Sequence, residues 1–177
     1  MAAATQSVPA LLTLDEYLRT SYHPDCDFVD DHIEERNLGE FEHSTIQIAI
    51  GAWFFNHRAE WHIRVASEYR THVAESRVRI PDISVFSSTG APEKVRATPP
   101  LLAVEILSPE DRMSRVLIRL KDFIAMGVEN VWLIDPIDRV AYTITSAGGL
   151  RPFDGPRLTI PNSPIYLDLP EIFSALD

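Results

Sequence analysis

Two short runs in the chain are almost entirely apolar, at residues 101–104 (LLAV) and 131–134 (VWLI). Successive side chains of a β-strand point to opposite faces of its sheet, so a strand with apolar residues at every position is covered on both faces. The two runs therefore predict central strands of a sheet that has other structure above and below it. The first run continues to Leu107, and one acidic residue, Glu105, lies within it.

Helical features occur in four other segments. Residues 13–16 (TLDE) form a capping box, which opens a short helix ending near residue 20. Residues 114–126 predict a helix with Ser114 as N-cap and Gly127 at its C-terminal end, and Pro170, preceded by Asp168 or Leu169, starts a short final helix. Residues 41–61 predict a long helix. Its apolar positions recur at helical spacing: Ile46, Ile50, Trp53 and Phe54.

The remaining extended segments predict further strands. They lie at residues 27–36, 63–73, 78–86 and 140–145, and a Gly148-Gly149 turn follows the last of them. The resulting order is helix, strand, helix, several strands, helix and strands. This order predicts an α/β or α+β fold, with a mixed sheet and helices on its faces.

Composition narrows the class of protein. A chain of 177 residues suits one domain, which we expect to span residues 1–177. The net charge of −10 argues against a protein that coats DNA without specificity, because such proteins need a basic surface. One cysteine excludes an intramolecular disulfide. The longest apolar stretch, residues 46–55, is about half the ~20 residues of a membrane span, so we expect a cytoplasmic protein without a membrane partner.

Asp82 and Glu105 are the acids whose neighbours are mostly apolar. By strand alternation, Glu105 shares a face with Ala103 and Leu107, while Asp82 shares one with Ser84. A carboxylate in apolar surroundings costs several kcal/mol unless it is paired or bound to a cation. A divalent metal would stabilise two such acids on adjacent strands. Mg²⁺ takes carboxylate, carbonyl and water oxygens, so the Ile106 carbonyl is a candidate further ligand.

A simpler interpretation of these two acids carries equal weight. Pro-Asp pairs often end a strand or form a turn, and Glu105 could be part of a salt bridge at a strand end. Zinc is not expected, because the histidines lack companions at the spacing of zinc ligands.

The wider pattern resembles the PD-(D/E)XK nuclease superfamily, and within it a large bacterial restriction-endonuclease group. The segments that carry the resemblance occur in the order of that group: RIPDISV at residues 79–85, VEILSP at 104–109, GV at 127–128 and VWLIDP at 131–136. The resemblance implies a restriction-endonuclease-like core, a mixed sheet flanked by helices, in which Asp82 and Glu105 hold Mg²⁺. It also implies an acid on the first strand, matched by Asp27, and a histidine at the start of the long helix, matched by His43.

The chain departs from this pattern at the lysine. The superfamily places its lysine two residues after the glutamate, where this chain has Leu107. The resembling group carries a lysine on the following helix, and an ungapped match puts Arg119 there. Lys121 is two residues on, about 200° around a helix. Arg119 can supply positive charge to a phosphate but cannot act as a base, since its pKa exceeds about 12.

These observations predict a DNA endonuclease that depends on Mg²⁺ or Mn²⁺. Asp82 and Glu105 would hold the ion, Arg119 or Lys121 would stabilise negative charge, Asp27 would hold a second metal or position water, and His43 would support the site. Because DNA has two strands, we expect a homodimer. The alternative is a catalytically degenerate nuclease fold that acts as a binding or regulatory module, which the missing lysine and the acidic composition favour.

Overall fold

The computed structural model describes residues 12–37, 39–144 and 149–177. Its helices are α1 (Leu14–Arg19), α2 (Phe41–His57), α3 (Met113–Met126) and α4 (Leu169–Ser174). Its strands in chain order are β1 (Asp27–Val29), β2 (His32–Glu34), β3 (Ile63–Ser67), β4 (Thr71–Ala74), β5 (Arg77–Arg79), β6 (Ile83–Ser87), β7 (Leu102–Ile106), β8 (Val131–Asp135), β9 (Val140–Ile144), β10 (Leu150–Pro152), β11 (Arg157–Thr159) and β12 (Tyr166–Asp168). The predicted turn at Gly148-Gly149 lies partly outside the described residues.

The main sheet has six strands in the order β10-β9-β8-β7-β6-β3. Its central pair, β7 and β8, is parallel, and its other pairs are antiparallel. These two strands are the predicted apolar runs, and both are buried along nearly their whole length. The prediction of a mixed sheet covered on both faces is confirmed.

A different helix covers each face of the main sheet. Ile46, Ile50 and Phe54 of α2 belong to the same apolar cluster as Val104 and Ile106 of β7. The other face packs against α3, and the residues of that cluster include Val116, Leu120, Phe123, Ala103 and Leu133. Alternation along β7 therefore turns Glu105 to the α3 face, together with Ala103.

A second sheet has four strands in the order β2-β1-β5-β4. The prediction of one strand at residues 27–36 is wrong, because β1 and β2 form a hairpin. Its turn consists of Asp30 and Asp31, whose φ angles are +47° and +66°. Aspartate tolerates this left-handed region better than most residues with a side chain, which explains why the chain can reverse there.

The predicted strand at residues 78–86 is also wrong, and its break places the site. The chain leaves the four-stranded sheet after Arg79 and enters the six-stranded sheet at Ile83. Pro81 has no N–H for a strand ladder, which accounts for an interruption at this point. Asp82 consequently lies at the junction of the two sheets rather than inside a strand. Similarly, the segment predicted as one strand at residues 63–73 is divided into β3 and β4, with Glu68 at φ +49° between them.

Most helix ends follow the sequence signals. The Thr13 and Glu16 capping box is present, and Gly127 ends α3 with φ +103°. Asp168 caps α4. Ser114 is not an N-cap, because α3 begins one residue earlier with Arg112 in the capping position. Among the described residues, no helix combines the length and hydropathy needed to cross a membrane.

Candidate metal centre

Asp82 and Glu105 lie side by side where the two sheets meet. β6 and β7 pair antiparallel, with Ile83 opposite Val104. The next positions in that register are Asp82 and Glu105, so the two acids stand at the same level. Only 2% of Asp82 and 3% of Glu105 is exposed to solvent. The fold thus brings together two buried acids that are 23 positions apart in the chain.

Neighbouring donors hold Asp82 firmly. Its Oδ1 accepts a hydrogen bond from Nη2 of Arg36 at 2.7 Å, and its Oδ2 accepts one from the backbone N–H of Ile106 at 2.8 Å. Nε2 of His43 is 3.4 Å from the same Oδ2. Burial by itself raises the pKa of Asp82, but the contacts with His43 and Arg36 outweigh it and leave the pKa below its ordinary value. Asp82 is therefore an anion at neutral pH.

Glu105 is held much less completely. Nε of Arg119 is 3.4 Å from Oε2, and this nitrogen makes no hydrogen bond within the described structure. Oε1 is buried and, within the same part of the chain, also has no hydrogen-bond partner. Burial, followed by repulsion from Asp82, raises the pKa of Glu105 to about 8 although Arg119 opposes the change. Without a further cation, Glu105 is largely protonated at pH 7.

A cavity of about 20 Å³ adjoins both acids. One water molecule needs roughly 10–15 Å³, so the cavity has room for a single small atom or ion. The ionisable side chains that line the cavity are Arg36, His43, Asp82, Glu105, Asp111 and Arg119. Asn37, Ile106 and Ser108 complete its wall.

The donor set fits a small divalent cation. Such an ion would give Oε1 of Glu105 a partner and would offset the repulsion between Glu105 and Asp82. Among the described residues, no group of three or more His, Cys, Asp or Glu side chains is arranged to hold a metal. Mg²⁺ suits a site with few protein ligands, since it commonly keeps several waters and binds one or two carboxylates. The carbonyl of Ile106 stays a predicted ligand, while the N–H of this residue already holds Asp82.

Arg119, rather than Lys121, is the cation that α3 directs to the cavity. Its side chain is 17% exposed and donates to Oδ1 of Asp111 at 3.3 Å, as well as lying beside Glu105. Lys121 is exposed and does not line the cavity. The structure therefore does not support Lys121 as a site residue, because two positions along a helix turn a side chain by about 200°.

Asp27 is close to this region but has a different environment. Its Oδ2 accepts from Nη1 of Arg79 at 3.0 Å, and its Oδ1 accepts from the backbone N–H of Ile80 at 3.0 Å. Burial raises the pKa of Asp27, and the charge of Arg79 counteracts the rise. Asp27 does not line the cavity. The structure does not place it on the wall of the candidate centre, and Arg79 and the backbone N–H of Ile80 already bond to its two oxygens.

His43 does reach the site. It lies in the first turn of α2, is 9% exposed, and places Nε2 next to Asp82. Its Nδ1 is buried without a hydrogen-bond partner among the described residues. The match that pointed to His43 in the sequence therefore identified a residue of the cavity wall, with one ring nitrogen still available.

Sequence reasoning missed Arg36 and Asp111. Arg36 neutralises Asp82, so this acid already has a cationic partner within the chain. Asp111 accepts from the N–H of Ser108 at 2.9 Å and from Nδ2 of Asn37 at 3.2 Å, which ties two loops to the cavity. Asp111 had a signal, because it lies in the loop that follows the strand of Glu105. Arg36 had none that separates it from the other arginines.

Together, the fold and the site define a class of protein. A mixed sheet flanked by helices, with two buried acids at neighbouring strand positions, corresponds to the nuclease-like proteins of the PD-(D/E)XK type. The chain belongs to the Uma2 family, whose profile bears the description "Putative restriction endonuclease" and matches residues 14–153.

A solved structure supports the fold. It is described as that of "a putative nuclease belonging to DUF820" from Anabaena variabilis ATCC 29413. The TM-score is 0.81, and the match covers 94% of this chain and 99% of the other with 24% identical residues. At this identity, the likeness establishes the shared fold. No curated protein matches the chain.

Proposed function

We propose that the protein is a divalent-metal-dependent endonuclease that hydrolyses phosphodiester bonds of DNA. The observation that carries the proposal is Oε1 of Glu105, which has no hydrogen-bond partner in the described part of the chain and is buried at the level of Asp82 beside a cavity for one small atom. A buried acceptor without a partner costs about 1–3 kcal/mol, and a cation would recover this energy. Membership of the Uma2 family, whose profile bears the description "Putative restriction endonuclease", supports the same assignment.

The residues of the chain divide the chemical tasks. Asp82 and Glu105 would hold Mg²⁺ or Mn²⁺. The bound ion would polarise the phosphate and lower the pKa of a bound water molecule. Arg119 lies at the cavity wall, and its Nε makes no hydrogen bond among the described residues, so it is in a position to stabilise negative charge that develops on the phosphate. The raised pKa of Glu105 means that the acid must lose its proton when the ion binds, so ion binding should strengthen with pH up to about 8.

A polar groove gives the substrate access to this site. It has a volume of about 740 Å³ and shares Arg36, Asn37 and His43 with the small cavity. Lys94 lies on its wall as an additional cation, and Arg70 lies there paired with Asp25 at 2.6 Å. Although the whole chain carries a net charge of −10, Lys94 gives this wall a cation for a phosphate backbone. A cytoplasmic location stays a prediction from the sequence.

The direct test is cleavage of a supercoiled plasmid with Mg²⁺ and, separately, with Mn²⁺. Wild-type protein should nick the plasmid, while Asp82→Asn and Glu105→Gln should lose the activity. The matched controls are Asp138→Asn and Glu129→Gln, which make the same chemical changes at exposed positions outside the cavity and the groove. These controls should cut as well as wild type.

The rival function is a nuclease fold that binds a partner without cutting. The presence of Arg119 in place of a lysine favours it, because an arginine cannot accept a proton. If the folded wild-type protein fails to cut with either ion, the rival is preferred. Mg²⁺ titration by calorimetry then decides whether the two acids bind an ion at all.

We also propose that two copies of the chain pair through the outer face of α2. Three large apolar side chains are exposed there at intervals of seven residues: Phe41 (71%), Ile48 (72%) and Phe55 (52%). Seven residues correspond to two helical turns, so these side chains form one stripe. A groove of about 510 Å³ lies beside the stripe, next to Gly51 and Ala52. A projecting ridge and a groove on the same patch suit a second identical copy related by a two-fold axis.

Charge at the two ends of α2 supports an antiparallel pairing. Glu40 and Glu42 lie at the beginning of the helix, while His57 and Arg58 lie at its end. A two-fold axis across the middle of α2 would place the acidic end of one copy opposite the basic end of the other.

Sedimentation velocity tests this pairing. Wild-type protein should sediment as a dimer and Ile48→Glu as a monomer. The control Ile118→Glu alters an isoleucine that is 50% exposed on α3, and it should leave the dimer intact. A wild-type monomer at tens of micromolar protein, or an Ile48→Glu dimer, would contradict the proposal.

A further inference from the structure

Arg36 stands at the boundary between the small cavity and the large groove. It lines both of them, and its side chain is 16% exposed. Nη2 donates to Oδ1 of Asp82 at 2.7 Å, and Nη1 is 3.6 Å from Oε1 of Glu68. Glu68 belongs to the groove and its side chain is 55% exposed. The guanidinium thus has one partner inside the cavity and another towards the solvent.

A divalent cation and this guanidinium make competing demands on Asp82. Both are positive, and both would use the same carboxylate, so they repel each other when they are close together. The cavity of about 20 Å³ has room for one small atom, whereas Mg²⁺ commonly retains several waters. Space and charge therefore both require Arg36 to move before a hydrated ion can bind.

We propose that Arg36 is an internal counter-ion of Asp82 that is exchanged for the metal, an inference that rests on the proposed function. In the ion-free protein, Arg36 neutralises Asp82. When Asp82 becomes a metal ligand, Arg36 shifts to Glu68 on the groove side. There its planar fork of donors faces the groove and binds a phosphate of the nucleic acid.

This exchange predicts effects of opposite sign on ion binding and on cleavage. The ion must displace Arg36. The apparent affinity for Mg²⁺ is therefore reduced in proportion to the fraction of ion-free molecules in which Asp82 is not paired with Arg36. Removing the guanidinium should tighten ion binding, yet the same change should weaken cleavage because a phosphate contact is lost. A purely structural arginine would not separate the two effects in this way.

Two substitutions test the exchange by Mg²⁺ calorimetry in the absence of DNA. If Asp82 is paired in about nine-tenths of the ion-free molecules, Arg36→Gln should bind Mg²⁺ about tenfold more tightly than wild type. Glu68→Gln removes the alternative partner of Arg36 and should bind Mg²⁺ about threefold more weakly, because Arg36 leaves Asp82 less readily. Arg64→Gln, which changes an exposed arginine outside the cavity and groove, is the matched control.

The outcomes separate this inference from the function on which it rests. Loss of Mg²⁺ binding in Asp82→Asn with unchanged or weaker binding in Arg36→Gln would overturn the exchange and leave the metal site standing. Retention of Mg²⁺ binding in Asp82→Asn would overturn the proposed function itself. If Arg36→Gln does not fold, Glu68→Gln decides, since its exposed side chain can be replaced without leaving a buried charge; unchanged affinity there counts against the exchange.

Discussion

Two clusters of buried charge lie near each other in this protein, and they differ in how completely their groups are paired. In the first, Arg79 has a side chain that is 1% exposed and contacts Asp27 at 3.0 Å, Glu34 at 2.7 Å and Asp122 at 2.7 Å. In the second, Asp82 is paired with Arg36 at 2.7 Å, whereas Glu105 has Arg119 at 3.4 Å and one oxygen without a hydrogen-bond partner within the described structure.

The difference distinguishes a structural cluster from a site. A buried charge whose hydrogen bonds are all made has nothing left to offer a ligand, and its removal exposes an uncompensated partner. A buried carboxyl with an unused oxygen weakens the ion-free fold, and a ligand can recover that energy. The Arg79 cluster joins β1, β2, β5 and α3, while the Asp82 and Glu105 cluster has an unused oxygen for the cation that we propose.

The largest effect on stability is expected from breaking the Arg79 cluster. Arg79→Met leaves Asp27 buried without its cation, although Asp122 keeps Arg77 at 2.9 Å, and it should lower the free energy of unfolding by about 3–5 kcal/mol. Urea denaturation measures this change. Arg64→Met, at an exposed position, should stay within about 0.5 kcal/mol of wild type. A loss below 1 kcal/mol for Arg79→Met would mean that the Arg79 cluster does not hold the four-stranded sheet against α3.

Removal of a charge from the Asp82 and Glu105 cluster should affect activity rather than stability. Glu105→Gln should reduce cleavage at least about a hundredfold, equivalent to about 2.7 kcal/mol, because a proposed metal ligand is lost. Its stability in EDTA at pH 8 should equal or exceed that of wild type, since an amide removes a buried charge with an unpaired oxygen. Plasmid nicking and urea denaturation measure the two quantities. A marked loss of stability would assign Glu105 to the structural class.

The pH dependence of stability should separate wild type from Glu105→Gln. The pKa of Glu105 is about 8 in the folded protein and near 4.5 otherwise, so the folded state binds this proton more tightly. Stability from this group is complete below about pH 4.5 and is lost as the pH rises towards 8. In EDTA, wild type should lose on the order of 3 kcal/mol relative to Glu105→Gln between pH 5 and pH 8. Parallel stability profiles for the two proteins would contradict the raised pKa.

The smallest effects concern the two cations of α3. Arg119→Gln should reduce cleavage about tenfold, equivalent to about 1.4 kcal/mol, because the residue borders the cavity. Lys121→Gln should change cleavage less than about twofold, since this exposed side chain is turned away by about 200°. Steady-state cleavage rates at saturating Mg²⁺ measure both. A larger loss for Lys121→Gln would show that the helix presents its other face to the substrate.

Local signals predicted the parts of the fold that depend on local chemistry. The apolar runs identified β7 and β8, and the capping box and Gly127 marked helix ends. The break at Pro81 was missed because apolar residues occur on both sides of it, although the alternation changes phase between Ile80 and Ile83, where the chain passes from one sheet to the other. Periodicity reports which face a residue occupies, and it contains no information about which sheet the strand joins.

The same limit explains the errors around the site. Asp82 and Glu105 could be recognised because acids are rare among apolar strand residues. The pairing of Asp27 with Arg79 joins residues 52 positions apart, and that of Asp82 with Arg36 joins residues 46 positions apart. An arginine side chain is long and flexible, so its partner depends on the tertiary path of the backbone rather than on its sequence neighbours. Charge partners at such separation become visible only with the fold.

The position of Asp82 between two sheets has a consequence for the newly made chain. During synthesis, Arg36 and His43 leave the ribosome first. Asp82 depends on both sheets for its placement. Arg119 belongs to α3, which follows Glu105 in the chain. A ribosome-bound fragment that ends before Met113 has both acids yet lacks the arginine and the helix that covers their face of the sheet. Such a fragment cannot form the complete cavity wall, so the centre that we propose is completed only after α3 has been synthesised.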